Sequence, residues 1–180
     1  MNIVTRKANF YDAEVISLIG KISFRNAFWN VFDKNNLEEY LKTVYNPDKI
    51  EISISKENNT WFITEIDGRP VGFAKVRKFS LNDEIESVSQ MQLEKIYVLP
   101  EYQDSGACTA LLDEVLNLAH ELLPDYIWLD VYTGNEKAMH FYERSGFKKE
   151  TTYLRGFGAQ RFEFHVMALP VHADEILFCQ

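Results

Sequence analysis

Cysteine is scarce in this chain: Cys108 and Cys179 are the only two in 180 residues. Two thiols so far apart make no disulfide framework, so stability must come from a buried core, and a reduced, cytoplasmic setting is expected. Proline is nearly as rare, and Pro47 and Pro124 are read as the ends of helical regions. Long apolar runs are missing, and Met1-Asn2-Ile3-Val4-Thr5-Arg6-Lys7 has no secretory apolar segment, which argues against membrane association. Positive charge is in deficit, with 19 Lys and Arg against 27 Asp and Glu, a net charge of -8. That balance excludes the usual basic nucleic-acid surface and is compatible with a cationic substrate. The four histidines, His120, His140, His165 and His172, show no ligand spacing, so no metal site is expected.

What the chain does have is enough apolar sequence for one core. The length predicts a single domain over residues 1–170, with residues 171–180 as a tail whose apolar end, residues 176–178, packs on the domain or on a partner subunit. Residues 3–6 read as a strand. Asp12 is placed to cap a helix running to about Phe24, and Asn36 to cap a second over residues 37–44. Residues 51–55 read as extended. Residues 61–66 and 71–76 form a hairpin across Asp67-Gly68, the strongest short turn signal in the chain. A polar link, residues 79–89, leads into the next strand.

Residues 91–122 organise the rest. A strand ends at Pro100, a polar loop follows over residues 101–105, and from Gly106 the apolar period changes from two to about 3.6. Cys108, Leu111, Leu112, Val115, Leu118, Ala119 and Leu122 then share one helical face. A loop feeding a helix start presents backbone N–H groups at the positive end of a helix dipole, which suits a phosphate. Residues 126–131 form a near-continuous apolar strand, read as parallel to the strand ending at Val98. Asn135 caps a further helix, Gly146 sits where a helix-ending glycine belongs, and residues 147–154 and 161–168 are the last strands.

Two motifs carry a resemblance. The first is Tyr97-Val98-Leu99-Pro100-Glu101-Tyr102-Gln103-Asp104-Ser105-Gly106-Ala107-Cys108. The second is Leu129-Asp130-Val131 followed by Asn135-Glu136-Lys137-Ala138-Met139-His140-Phe141-Tyr142-Glu143-Arg144-Ser145-Gly146-Phe147. In this order and context the chain resembles the GCN5-related N-acetyltransferase (GNAT) superfamily, and its wording is similar to the polyamine/diamine acetyltransferase branch. The resemblance implies an α/β fold: a mostly antiparallel mixed sheet with one parallel strand pair, flanked by helices. It also implies acetyl-CoA as acyl donor. Ile96, Tyr97 and Val98 would hold the pantetheine arm, and backbone amides of Gln103, Asp104, Ser105, Gly106, Ala107, Cys108 and Thr109 would cradle the pyrophosphate. Asn135 and Tyr142 would add further cofactor contacts.

The same resemblance gives Tyr142 the role of acid for the departing CoA thiolate, which a neutral phenol suits. Glu94 becomes the base for the acceptor amine, and the amide near Ile96 the oxyanion donor. Trp29, Phe32, Tyr40 and Tyr45 are candidates for lining the acceptor site, with core packing expected of at least two. Asp104, Ser105 and Cys108 depart from the family pattern, which usually offers glycine and positive charge there. The expected activity is N-acetylation of a small-molecule primary amine, with a polyamine-like amine as a candidate acceptor and a homodimer as a candidate assembly. A peptide or protein N-acetyltransferase, and a non-catalytic acyl-CoA-binding sensor module, are the alternatives.

Overall fold

The computed structural model describes residues 1–172, so most of the expected tail, Cys179 included, lies outside the described residues. Seven strands follow the order β1-β2-β3-β4-β5-β7-β6: β1 Ile3–Lys7, β2 Asn59–Ile66, β3 Arg69–Arg77, β4 Gln90–Val98, β5 Tyr126–Tyr132, β6 Lys148–Phe157 and β7 Gln160–Pro170. Among the described residues five α-helices accompany them: α1 Ala13–Phe28, α2 Lys34–Val44, α3 Pro47–Ile54, α4 Ala107–Leu122 and α5 Glu136–Arg144. β1 pairs antiparallel with β2, β5 and β6 pair antiparallel with β7, and β4 pairs parallel with β5. The parallel pair follows from the expected strand–helix–strand unit, because only a crossover such as α4 lets two strands run in the same direction.

The chain divides into two compact units. The first holds residues 1–76 and 95–115, the second residues 77–94 and 116–172 of the described chain. In the first, Ile16, Ile19, Leu41, Phe62, Ile63, Val71, Phe73 and Leu111 are buried. Asp67 and Gly68 both have positive φ, the conformation of a two-residue hairpin turn, and join β2 to β3 where the Asp-Gly signal placed them. Gly72 matters for a different reason: a Cβ there would press on the Tyr97 carbonyl and the Val98 side chain. In the second unit, Ile127, Leu129, Phe147 and Met167 are buried. Gln90 secures the loop before β4. Its amide nitrogen reaches the Asn82, Ile85 and Ser87 carbonyls at 3.2, 3.0 and 2.7 Å, and its oxygen accepts from the Asn82 amide at 2.7 Å.

Four local readings are corrected. The cap of α2 is Asp33, whose carboxylate accepts from the Asn35 and Asn36 amides, so that helix starts before Asn36. Pro47 opens a helix rather than closing one. It occupies the first turn of α3, capped by Asn46, where its missing N–H is no loss, and residues 51–54 are helical rather than extended. Asp12 precedes α1 but makes no side-chain cap. Its carboxylate is bound instead by the Arg6 guanidinium at 2.8 and 2.9 Å and by the Asn9 amide at 2.8 Å.

That last arrangement has a pH signature. The Arg6 hydrogen bonds hold the Asp12 carboxyl below the ordinary carboxylate range, against the opposing effect of burial. A depressed folded value stabilises the fold above the unfolded carboxyl value of about 3.9, and the contribution is lost as pH falls through the folded value. Asp12→Asn is expected to cost about 1–2 kcal/mol at pH 7. It should also flatten the loss of stability below about pH 4, measured by urea unfolding across pH.

Candidate active site

The turn between β4 and α4 belongs to the first unit. Residues 100–102 form a single 3-10 turn, and the Leu99 amide donates to the Val71 carbonyl at 2.8 Å, tying the end of β4 to β3. The Tyr102 amide returns to the Leu99 carbonyl at 2.9 Å, the Gln103 amide to Pro100 at 3.4 Å, and the Ser105 amide to Tyr102 at 3.1 Å. The Ser105 hydroxyl donates to the Tyr102 carbonyl at 2.6 Å and accepts from the Ala107 amide at 3.3 Å. Ser105 therefore closes the helix start. Gly106 has φ +89°, a conformation that L side chains rarely adopt.

Beyond it, α4 runs for 16 residues and turns its first amides back toward the loop, where they have no intrahelical acceptor. This is the geometry that receives an anion, and the residues present fit a diphosphate. Gln103, Asp104 and Thr109 are exposed, Cys108 is half-buried and Ala107 is fully buried. Exposure of Asp104 lets water screen its charge.

The strand leading there is held from the α1 side: the Ser23 hydroxyl donates to the Val98 carbonyl at 3.1 Å. Ile96 and Tyr97 are half-buried. The aromatic residues proposed to line an acceptor site divide sharply. Phe32 and Tyr45 are core residues, 6% and 1% exposed, whereas Trp29 is 58% exposed. Tyr40 is half-buried and stacks on Phe24 with ring centroids 4.6 Å apart. Tyr45 meets Phe24 and Tyr97 at 6.1 and 6.3 Å, and the Lys95 ammonium lies 5.9 Å from its ring.

The second unit holds the candidate acid and base. Tyr142, on α5, is buried, with its ring against Phe141 and Phe147 at 5.4 and 5.8 Å. Asn135 caps that helix, its side-chain oxygen accepting from the Ala138 amide at 3.1 Å. Gly146, with φ +91°, ends it. Glu94 is half-buried and lies 3.8 Å from the Arg77 guanidinium.

The sequence reading passed over a further group. Asp130 accepts a hydrogen bond from the Tyr153 hydroxyl, and Arg155 acts electrostatically on both. Burial raises the Asp130 carboxyl above its ordinary value, and Tyr153 and Arg155 oppose that shift. Burial, together with the neighbouring carboxylate, pushes the Tyr153 phenol up to about 12. The signal was available: Asp130 is the one charged residue in the apolar run of residues 126–131.

The profile of the Acetyltransferase (GNAT) family matches residues 22–147, which include the β4 strand, the Gly106 turn and α5. The chain belongs to that family. An uncharacterised N-acetyltransferase of Mycobacterium tuberculosis is 35% identical over 101 residues, 56% of this chain and 60% of that protein. This chain thus spans about 60% of the length of the mycobacterial relative it matches. An N-alpha-acetyltransferase of Sulfurisphaera tokodaii is 26% identical over 92% of both chains. The spermidine N(1)-acetyltransferase of Escherichia coli K12 is 28% identical over 67% of this chain and 62% of its own. Among solved structures, the PaiA N-acetyltransferase of Thermoplasma acidophilum, in complex with coenzyme A, superposes with TM-score 0.79 at 19% identity, covering 95% of this chain and all of that one. This GNAT chain therefore shares the fold of that structure. No helix among its described residues is long and apolar enough to cross a membrane.

Proposed function

We propose that this chain transfers an acetyl group from acetyl-CoA to the primary amine of a small-molecule acceptor, by direct attack with both substrates bound. The observation that carries the reading is the Gly106 turn, with φ +89°, opening α4 inside the GNAT match. The coenzyme A complex of the PaiA structure and the N-acetyltransferase names of the relatives support it. Acetyl-CoA supplies an activated thioester. The backbone amides of residues 103–109 hold its pyrophosphate, and Ile96, Tyr97 and Val98 hold its pantetheine arm along β4, with Asn135 as a further contact. Glu94 takes the proton that the acceptor ammonium must lose before its nitrogen can attack. The Ile96 amide donates to the carbonyl oxygen as charge gathers there. Tyr142 gives its proton to the sulfur as the carbon–sulfur bond breaks. Residues 1–170 act together as one catalytic domain in this reading.

Calorimetry with acetyl-CoA is expected to show binding, and the absence of heat at about 1 mM cofactor would overturn the reading, since working substrate constants lie at or below that level. A thiol-release assay over spermidine, simple alkylamines, phenethylamine and an α-amino peptide should find turnover with a small amine. Binding without turnover across the whole panel would favour the second reading, an acyl-CoA-binding sensor module, for which Asp104, Ser105 and Cys108 are the supporting departures.

A further inference from the structure

A hydroxyl stands on the buried face of α1 where alanine would be the better helix former. Ser23 is 5% exposed and shares that face with Ile16, Ile19, Phe24 and Phe28. A buried hydroxyl must find an acceptor. Inside a helix the usual one is the carbonyl four residues earlier, here that of Ile19. The Ser23 hydroxyl donates instead to the Val98 carbonyl in β4, 75 positions away, at 3.1 Å.

That carbonyl has a defined direction. The Leu99 amide donates to the Val71 carbonyl at 2.8 Å, and the Tyr97 carbonyl faces β3, where a Cβ on Gly72 would press on it. Successive residues of a strand point their backbone groups to opposite edges, so the Val98 carbonyl points away from β3. The registered ladder between β4 and β5 covers Gln90, Met91 and Gln92, at the other end of β4. The Val98 carbonyl therefore lies on a strand edge beyond that ladder, and the Ser23 hydroxyl takes one of its two acceptor positions.

We propose that Ser23 is a positioning residue for the acyl donor: its hydroxyl fixes the Val98 carbonyl so that the second acceptor position receives an amide N–H of the pantetheine arm. This rests on the acetyl-CoA reading above and goes beyond it by naming the side chain that prepares the strand edge. The arm is an extended chain carrying amides, and a strand edge is the surface that pairs with such a chain. A carbonyl already held in place loses less freedom when the arm binds, which is how preorganisation adds affinity. Ser23 acts through Val98 and touches neither the thioester nor the acceptor. Ser17 supplies the comparison. It is the other hydroxyl buried on α1, 2% exposed, and it donates to the Tyr45 carbonyl, which follows α2 and lies outside β4.

The test is calorimetry of coenzyme A on the full chain, comparing wild type with Ser23→Ala, Ser23→Cys and Ser17→Ala. The series is repeated with adenosine 3′,5′-bisphosphate, which lacks the pantetheine arm. Ser23→Ala is expected to weaken coenzyme A about fivefold, the size of one hydrogen bond. Ser23→Cys keeps the shape and loses the strong donor, so it should weaken coenzyme A to the same extent. Ser17→Ala should lower Tm and leave coenzyme A affinity within about twofold, as expected of a site with no shared partner. Bisphosphate affinity should stay within about twofold in every variant, a pattern that a general loosening of α1 would not produce. Equal or tighter coenzyme A binding by Ser23→Ala overturns the proposal, and so does an equal loss for Ser17→Ala or for the bisphosphate. If Ser23→Ala fails to fold, Ser23→Cys decides by the same comparison, and if the bisphosphate binds no variant, Ser17→Ala decides. No coenzyme A binding to the wild type overturns the cofactor reading itself, whereas binding that is indifferent to Ser23 overturns the role of Ser23 alone.

Discussion

Tyr142→Phe is expected to lower kcat about 100-fold while leaving acetyl-CoA affinity within about twofold, because it removes one proton donor and no packing volume. The ring of Tyr142 sits against Phe141 and Phe147 at the inner face of α5, and those contacts survive loss of the hydroxyl. A thiolate departing without a proton must leave as a free anion. The penalty therefore falls on the step that breaks the carbon–sulfur bond and shows in kcat and kcat/KM together. Single-turnover rates and calorimetry on the same preparation separate the two effects. An unchanged chemical rate removes Tyr142 as the acid. A loss of affinity equal to the loss of rate makes it a binding residue instead.

Gly20→Ala is expected to destabilise the protein by about 2–3 kcal/mol, although alanine is the better helix former by about 1 kcal/mol. Gly20 lies inside α1, and a Cβ there would overlap the Cδ1 and Cε1 atoms of the Tyr45 ring. That ring has nowhere to retreat. It is 1% exposed, bounded by Phe24 and Tyr97, and its backbone carbonyl is held by the Ser17 hydroxyl. The helix and the segment after α2 must separate, or the ring must leave its pocket. For a domain of this size the loss corresponds to a fall in Tm of about 6–10 °C. A double-mutant cycle identifies the cause: Tyr45→Leu is expected to relieve part of the Gly20→Ala penalty, so the combined loss is smaller than the sum. Simple additivity would show that the ring is not what the new methyl group meets.

Much of this architecture was legible because its signals are local. Asp67-Gly68 announces a hairpin through two adjacent residues with positive φ, and Gly106 and Gly146 mark a helix start and a helix end in the same way. The switch from strand to helix period after Pro100 locates α4, and the apolar run of residues 126–131 gives a strand next to its parallel partner. The misplaced caps are near misses of the same kind. Asp33 stands three residues before Asn36, and both are good capping residues, so only the path of the chain decides between them. Pro47 carries opposite meanings at the two ends of a helix, and the sequence alone does not say which end is in view.

By itself, the sequence determined the order of strands and helices apart from α3, the glycine-led turn at Gly106 and the second motif around Tyr142, because each depends on residues within a few positions of one another. Only the tertiary structure decided which distant side chains share a surface. Arg6 takes Asp12 and Glu65, Tyr45 occupies the space left by Gly20, and Tyr153 bonds Asp130 from 23 positions away. The physical reason is strand order. β7 lies between β5 and β6, so Asp130 and Tyr153 meet across a strand that follows both in the chain, an arrangement that no local period or cap encodes.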